Sequence, residues 1–247
     1  MKKIILFFIL IAAVILRIYQ LDKVPPSLFG DELDVGYQAY SLLRTSQDLQ
    51  GNSWPIFIHS LSEFRAPLFI YSDIPFVAIF GLNEWGVRLA AAFWGILGIF
   101  GIYLLVRKIL NEKLALLSAG FLTISPWHIQ YSRAGFEVTM LLTFLVFGTL
   151  FFLKGLEKRY FLIFSAICFS LTPYIYSTAA VFTPLWIILL LMIFKKSLKI
   201  NIGTVFATFV LIIILIPYGL QTMSGISGNR FNLISIFANK DTQDKVI

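Results

Sequence analysis

Apolar runs recur along this chain at lengths that call for a bilayer as solvent. Residues 1–19, 85–106, 114–127, 138–153, 160–174, 177–194 and 202–220 are each almost uninterrupted hydrophobic sequence, bounded by charge or by Pro and Gly. A chain of 247 residues that is 58% hydrophobic and only 13% charged cannot hide that much apolar surface inside one soluble core. The expected fold class is therefore an all-α integral membrane protein, a polytopic helical bundle of about seven transmembrane helices. The same composition excludes disorder, and the single cysteine, Cys168, excludes a disulfide scaffold. The net charge of +7 lies in short clusters between the apolar runs, as topogenic charge does, so nucleic acid is not an expected partner.

Lys2 and Lys3 open a run with no small-x-small cleavage site before Asp22, which reads as a retained first span. The topology then turns on residues 67–81, an apolar run interrupted by Asp73 and Pro75. If this run spans, every later basic cluster falls outside. If it lies at the outer interface, Lys2, Lys3 and the clusters at Arg107, Lys108, Lys113, Lys154, Lys158, Arg159, Lys195, Lys196 and Lys199 share the cytoplasmic side. That arrangement sets eleven basic residues against two acidic ones, Glu112 and Glu157, and the positive-inside rule selects it. The expectation is a cell-membrane protein with a cytoplasmic N-terminus, in which residues 1–220 form the transmembrane module. Residues 221–247 would be an external segment that begins a missing C-terminal part. Runs such as 114–127 are shorter than the ~20 residues that cross a ~30 Å core, so they must extend into their flanks or thin the bilayer.

This orientation places eight of the thirteen carboxylates in one external loop, residues 22–86. A loop of that length is functional or disordered, and its content of Phe, Tyr, Trp and Leu argues against disorder. Residues 32–44 carry apolar side chains at helical spacing, with Asp31 at the start, and read as a helix on the outer membrane surface. Asp31 and Glu32 would sit just above the hydrocarbon, where a carboxylate suits general-base work on a hydroxyl. Helix capping by Asp31 is the plainer alternative. A second outer loop, residues 125–137, gathers Trp127, His128, Tyr131, Arg133 and Glu137. Glu137 opens an apolar run, so it needs either a partner, such as Arg133, or a polar cavity. Arg17, Arg65, Arg88 and Arg133 break the positive-inside pattern. Each would suit a phosphate clamp, with snorkelling or pairing, Arg88 with Glu84 for instance, as the alternative. His59 and His128 lack metal-ligand spacing, so no metal site is assigned, although the carboxylates could hold a divalent cation. No nucleotide-binding motif is present in the sequence, so an outward-facing transferase would need an energy-rich donor carried by the membrane.

Four segments, in this order, resemble the N-terminal half of the GT-C membrane glycosyltransferases of glycosyltransferase family 39. They are FGDELDVGYQAYSLL from Phe29, RAPLFIY from Arg65, GLNEWGVRLAAAFWGILGIFGIYLLVRKIL from Gly81, and LALLSAGFLTISPWHIQYSRAGFEVTMLLTF from Leu114. That family holds the dolichyl-phosphate-mannose protein mannosyltransferases and the aminoarabinose transferases. The resemblance implies juxtamembrane helices in the first external loop, a catalytic Asp31 with Glu32 beside it, and a second-loop acid at Glu137. It also implies a polyprenyl-phosphate sugar donor and a lipid, glycan or protein acceptor. The family often has a Lys in the turn at residues 172–177, and this chain has none. Together the readings give an inverting sugar transfer at the outer face. Asp31 and Glu32 are the catalytic candidates, Arg65, Arg88 and Arg133 the donor-phosphate ligands, and Tyr37, His128 and Glu137 the substrate contacts. A transporter fragment and a non-catalytic envelope subunit are the rival readings.

Overall fold

The computed structural model describes residues 2–60, 63–198 and 201–223; Lys199 and most of the expected external segment 221–247 lie outside the described residues. Its helices are α1 (Lys2–Ile18), α2 (Gly30–Thr45), α3 (Leu68–Phe80), α4 (Glu84–Ile109), α5 (Glu112–Ile124), α6 (Pro126–Arg133), α7 (Val138–Glu157), α8 (Phe161–Leu171), α9 (Ala179–Phe194) and α10 (Ile202–Met223). A 3₁₀ turn, Thr172–Tyr174, follows α8. Strands β1 (Ile58–Ser60) and β2 (Glu63–Arg65) pair antiparallel, with Ile58 opposite Arg65. This pair adds a small hairpin to an otherwise helical fold.

Helix forms over all seven apolar runs, but only α4, α7 and α10 are long and apolar enough to cross a membrane. The other four have 11 to 17 residues, which is fewer spans than the seven expected from hydropathy. Local sequence explains two of the early stops. Ser125 turns extended before Pro126, ending α5, and Pro173 tightens the chain after α8 into a 3₁₀ turn. Asparagines start the helices on either side. Asn83 accepts from the Gly86 amide at 3.0 Å and Asn111 from the Leu114 amide at 3.0 Å.

The disputed run forms α3, whose 13 residues reach only ~20 Å. It packs between α2 and α4, burying Phe69, Ile70, Asp73 and Val77. One core cluster joins Val35, Ala39 and Leu42 of α2, Ile58 of the hairpin, Phe69 and Ile70 of α3, Ala90 and Ala91 of α4, Met140 of α7 and Ile175. The segment between α1 and α4 is thus part of the folded body. Along α4, Gly95, Gly98 and Gly101 let α6 and α7 approach closely, and hydroxyls join the helices. Thr143 donates to the Trp94 carbonyl at 2.7 Å and Thr139 to that of Ala91 at 3.3 Å. In contrast, only 6% of the apolar α10 window is buried, leaving a face suited to lipid.

Gly86 sets the turn between α3 and α4, since a Cβ there would lie 2.1 Å from the Gly81 carbonyl oxygen. Gly86→Ala should therefore lower stability by about 1–3 kcal/mol or more. Thermal unfolding in detergent would test this; an unchanged midpoint would mean that the turn is not packed as described.

Candidate active site

Helix α2 begins where its own sequence supplies a cap. Glu32, in the first turn, accepts from the Phe29 amide at 2.8 Å, and Asp31 beside it lies at the positive end of the helix dipole. The two neighbouring carboxylates then part company. Glu32 is buried and turned into the protein, accepting from Arg88 Nε at 2.8 Å, Arg88 Nη2 at 3.3 Å and the Gly135 amide at 2.9 Å. Asp31 is 41% exposed and pairs with Arg65 at the end of the hairpin.

Arg88 is fully buried and every one of its N–H groups is used. Besides Glu32 it donates to the carbonyls of Leu21 at 2.8 Å, Pro25 at 2.9 Å and Ser27 at 2.8 Å. The expected pairing with Glu84 and the expected phosphate contact both give way to this closed network, which leaves no donor to offer. Arg133 does similar work at the end of α1, donating to Leu16, Gln20 and Val24 carbonyls between 2.8 and 3.2 Å. It does not pair with Glu137, because α6 ends at Arg133 and the chain breaks before α7. Burial, helped by the Arg88 charge, lowers the Arg133 pKa. Arg17 closes the set, bonding the carbonyls of Ala13, Leu122 and Thr123 and, at 2.8 Å, His128 Nδ1. His128 is fully buried beneath it.

Arg65 is different, since its side chain is 15% exposed and forms part of a cleft wall. The cleft, with a cavity volume of about 20 Å³, lies between Val35 of α2, Phe64 and Arg65 of the hairpin, Phe69 and Ile70 of α3, Glu137 before α7, and Ile175 to Ser177. Burial lowers the Arg65 pKa, but the Asp31 hydrogen bond and the charges of Asp31, Asp34 and Glu137 outweigh it and hold the guanidinium above its ordinary value. Asp34, one helical turn beyond Asp31, lies 3.7 Å from Arg65 Nε and accepts from Ser60 Oγ at 2.6 Å. Tyr37 is 52% exposed on α2 and does not line the cleft. Among the described residues no group of three or more His, Cys, Asp or Glu stands close enough to hold a metal. The acidic pair of the cleft already faces a guanidinium, so these residues do not fit a divalent cation.

Of the eight sequence candidates, Arg65 and Glu137 line the cleft and Asp31 pairs with Arg65 beside it, while Glu32, Arg88, Arg133 and His128 are buried. Asp34, Tyr176 and Ser177 belong to the site and were not expected. The spacing of Asp31 and Asp34 on one helix face was the available signal for the first. A larger cavity, about 130 Å³ between α8, α9 and α10, has no ionisable side chain in its lining.

A family model described as dolichyl-phosphate-mannose-protein mannosyltransferase matches residues 65–218, more than half of the chain. The chain belongs to that family. It is a membrane glycosyltransferase of the mannosyltransferase type. No curated protein and no solved structure matches it. The matched region opens at Arg65, so it contains the arginine, Glu137 and the Tyr176 wall of the cleft, whereas the acidic pair on α2 precedes it.

Burial and the Arg17 charge push the His128 imidazole down to about 4 from 6.5. Between about pH 6.5 and about 4 the unfolded chain binds the extra proton, so this mannosyltransferase-family protein should lose stability as pH falls through that window. Asn at position 128 can still accept from Arg17 and cannot titrate. His128→Asn should flatten this part of a pH–stability curve measured by denaturation, and an unchanged slope would assign the window to other groups.

Proposed function

We propose that the chain transfers a sugar from a polyprenyl-phosphate-linked donor to an acceptor hydroxyl at the outer membrane face, inverting the anomeric carbon. The observation that carries this reading is the Asp31–Arg65 pair, a half-exposed carboxylate and a partly exposed guanidinium side by side at a polar cleft. Family membership supports the donor class. The distribution of eleven basic residues against two acidic ones supports the orientation with seven spans and the N-terminus inside.

Asp31 takes the proton of the acceptor hydroxyl as the oxygen attacks C1. The C1–O bond to phosphate breaks with its electron pair going to the phosphate, and Arg65 stabilises that departing charge. In the resting site these two groups neutralise each other. An incoming donor phosphate competes for Arg65 and so releases the base where it is needed. The reaction needs only positioning and charge stabilisation from the protein, with Glu137 and Tyr176 as cleft-wall contacts for donor or acceptor. The acceptor class is lipid, glycan or protein.

Asp31→Asn keeps the size and the helix-start role but removes the base. Transfer should fall by about 10²–10⁴-fold, while donor binding stays the same or tightens as Arg65 is released. Arg65→Lys should weaken donor binding nearly as much as Arg65→Ala, because an ammonium cannot reproduce paired guanidinium donors. Turnover and donor titration with a short-chain prenyl-phosphate mannose would separate the two roles. Normal turnover in Asp31→Asn would remove this carboxylate from the chemistry, and full rescue by Lys would reduce Arg65 to a point charge.

A further inference from the structure

Helix α10 carries Pro217 inside its outer half. A proline there removes one backbone donor and presses on the carbonyl one turn back, so the hydrogen-bond ladder opens. In an unbroken helix the Tyr218 amide would bond the Ile214 carbonyl directly. Here the Tyr174 hydroxyl reaches both groups, donating to the Ile214 oxygen at 2.6 Å and accepting from the Tyr218 amide at 3.0 Å. One side chain from the turn after α8 thus completes the backbone of another helix.

Two routes lead from this joint to the cleft. Along the chain, Tyr174 is followed at once by Ile175, Tyr176 and Ser177, which form one cleft wall. Across space, the Tyr174 ring packs edge-on against Tyr218 at 5.4 Å, and Tyr218 packs against Phe57 at 5.4 Å. Phe57 leads directly into β1, whose partner strand ends at Arg65. Both routes end on groups that the proposed reaction uses.

We propose that Tyr174 is a positioning residue. Its hydroxyl fixes the bend of α10 at Pro217, and through that joint it holds the Tyr176 and Arg65 walls of the cleft in register. Tyr174 touches no substrate. The proposal rests on the transferase reading of the cleft, and only the turnover arm of its test depends on that reading.

The test compares Tyr174→Phe, Pro217→Ala and the double variant in the full chain, in lipid nanodiscs. Backbone hydrogen exchange is followed over residues 57–66 and 214–219, together with kcat and KM for transfer from prenyl-phosphate mannose. Tyr174→Phe should speed exchange in both segments by about tenfold and lower kcat/KM for the donor by about tenfold. Without Pro217 the helix closes its own Tyr218–Ile214 bond. In that background the loss of the hydroxyl should change neither readout by more than about twofold. Equal effects of Tyr174→Phe in both backgrounds would overturn the proposal, as would faster exchange confined to residues 214–219. If Tyr174→Phe does not fold, the double variant decides: recovery of folding supports the joint and failure overturns it. If no variant turns over, wild type included, the transferase reading fails. Exchange over residues 57–66 then still decides, faster in Tyr174→Phe for the proposal and unchanged against it.

Discussion

The buried pair of Glu32 and Arg88 is the interaction on which the rest of this arrangement depends. A charge taken out of water costs several kcal/mol unless its partners are complete, and here they are. Glu32 receives donors from three separate stretches, Phe29, Arg88 and Gly135, while Arg88 satisfies Leu21, Pro25 and Ser27 with the groups that remain. The start of α2, α4 and the segment between α6 and α7 therefore meet at one point. Removing either partner would strand the other as an unpaired buried charge, a loss of ~3–5 kcal/mol in comparable pairs. Asp31, next to Glu32 on α2, takes its place at the cleft from this anchorage.

The same principle sorts the arginines. Arg17, Arg88 and Arg133 donate to backbone carbonyls at the ends of α1 and α5 and in the loop that follows α1. Carbonyls in the last turn of a helix lack intrahelical partners and must be satisfied. A guanidinium with several donors in a fixed fork can serve several of them at once. Arg65 faces carboxylates at a cleft wall instead, and an ion pair at an accessible surface can exchange its partner for a ligand. Chemical identity alone does not separate these uses; the number of donors already engaged does.

Much of the fold was legible because a bilayer imposes long apolar runs and a charge bias that survive in the sequence. The α2 helix was readable from its spacing. The hairpin was not, because three-residue strands such as Ile58–Ser60 leave too short an alternation to stand out. Helix ends were missed where a proline cuts an apolar run, as at Pro126 and Pro173. In the acidic pair, which carboxylate faces inward depends on the α2 register against Arg88, a contact between residues far apart in sequence. The roles of Arg133 and His128 were hidden for the same reason, since their partners lie on α1 and the loop after it. Tyr176 and Ser177 reach the cleft only through the turn after α8.

The central claim is that the support and the working groups are separate, with Glu32 and Arg88 locked in a buried network and the partly exposed Asp31–Arg65 pair exchanging its partners for a donor. A structure of the full chain bound to a non-hydrolysable prenyl-phosphonate mannose tests this most directly. The account predicts the phosphonate within hydrogen-bonding distance of Arg65, Asp31 released from Arg65 and turned toward C1, and the Glu32–Arg88 pair unchanged. A phosphonate held by Arg88 or Arg133, or an Asp31–Arg65 pair still closed in the complex, would contradict it.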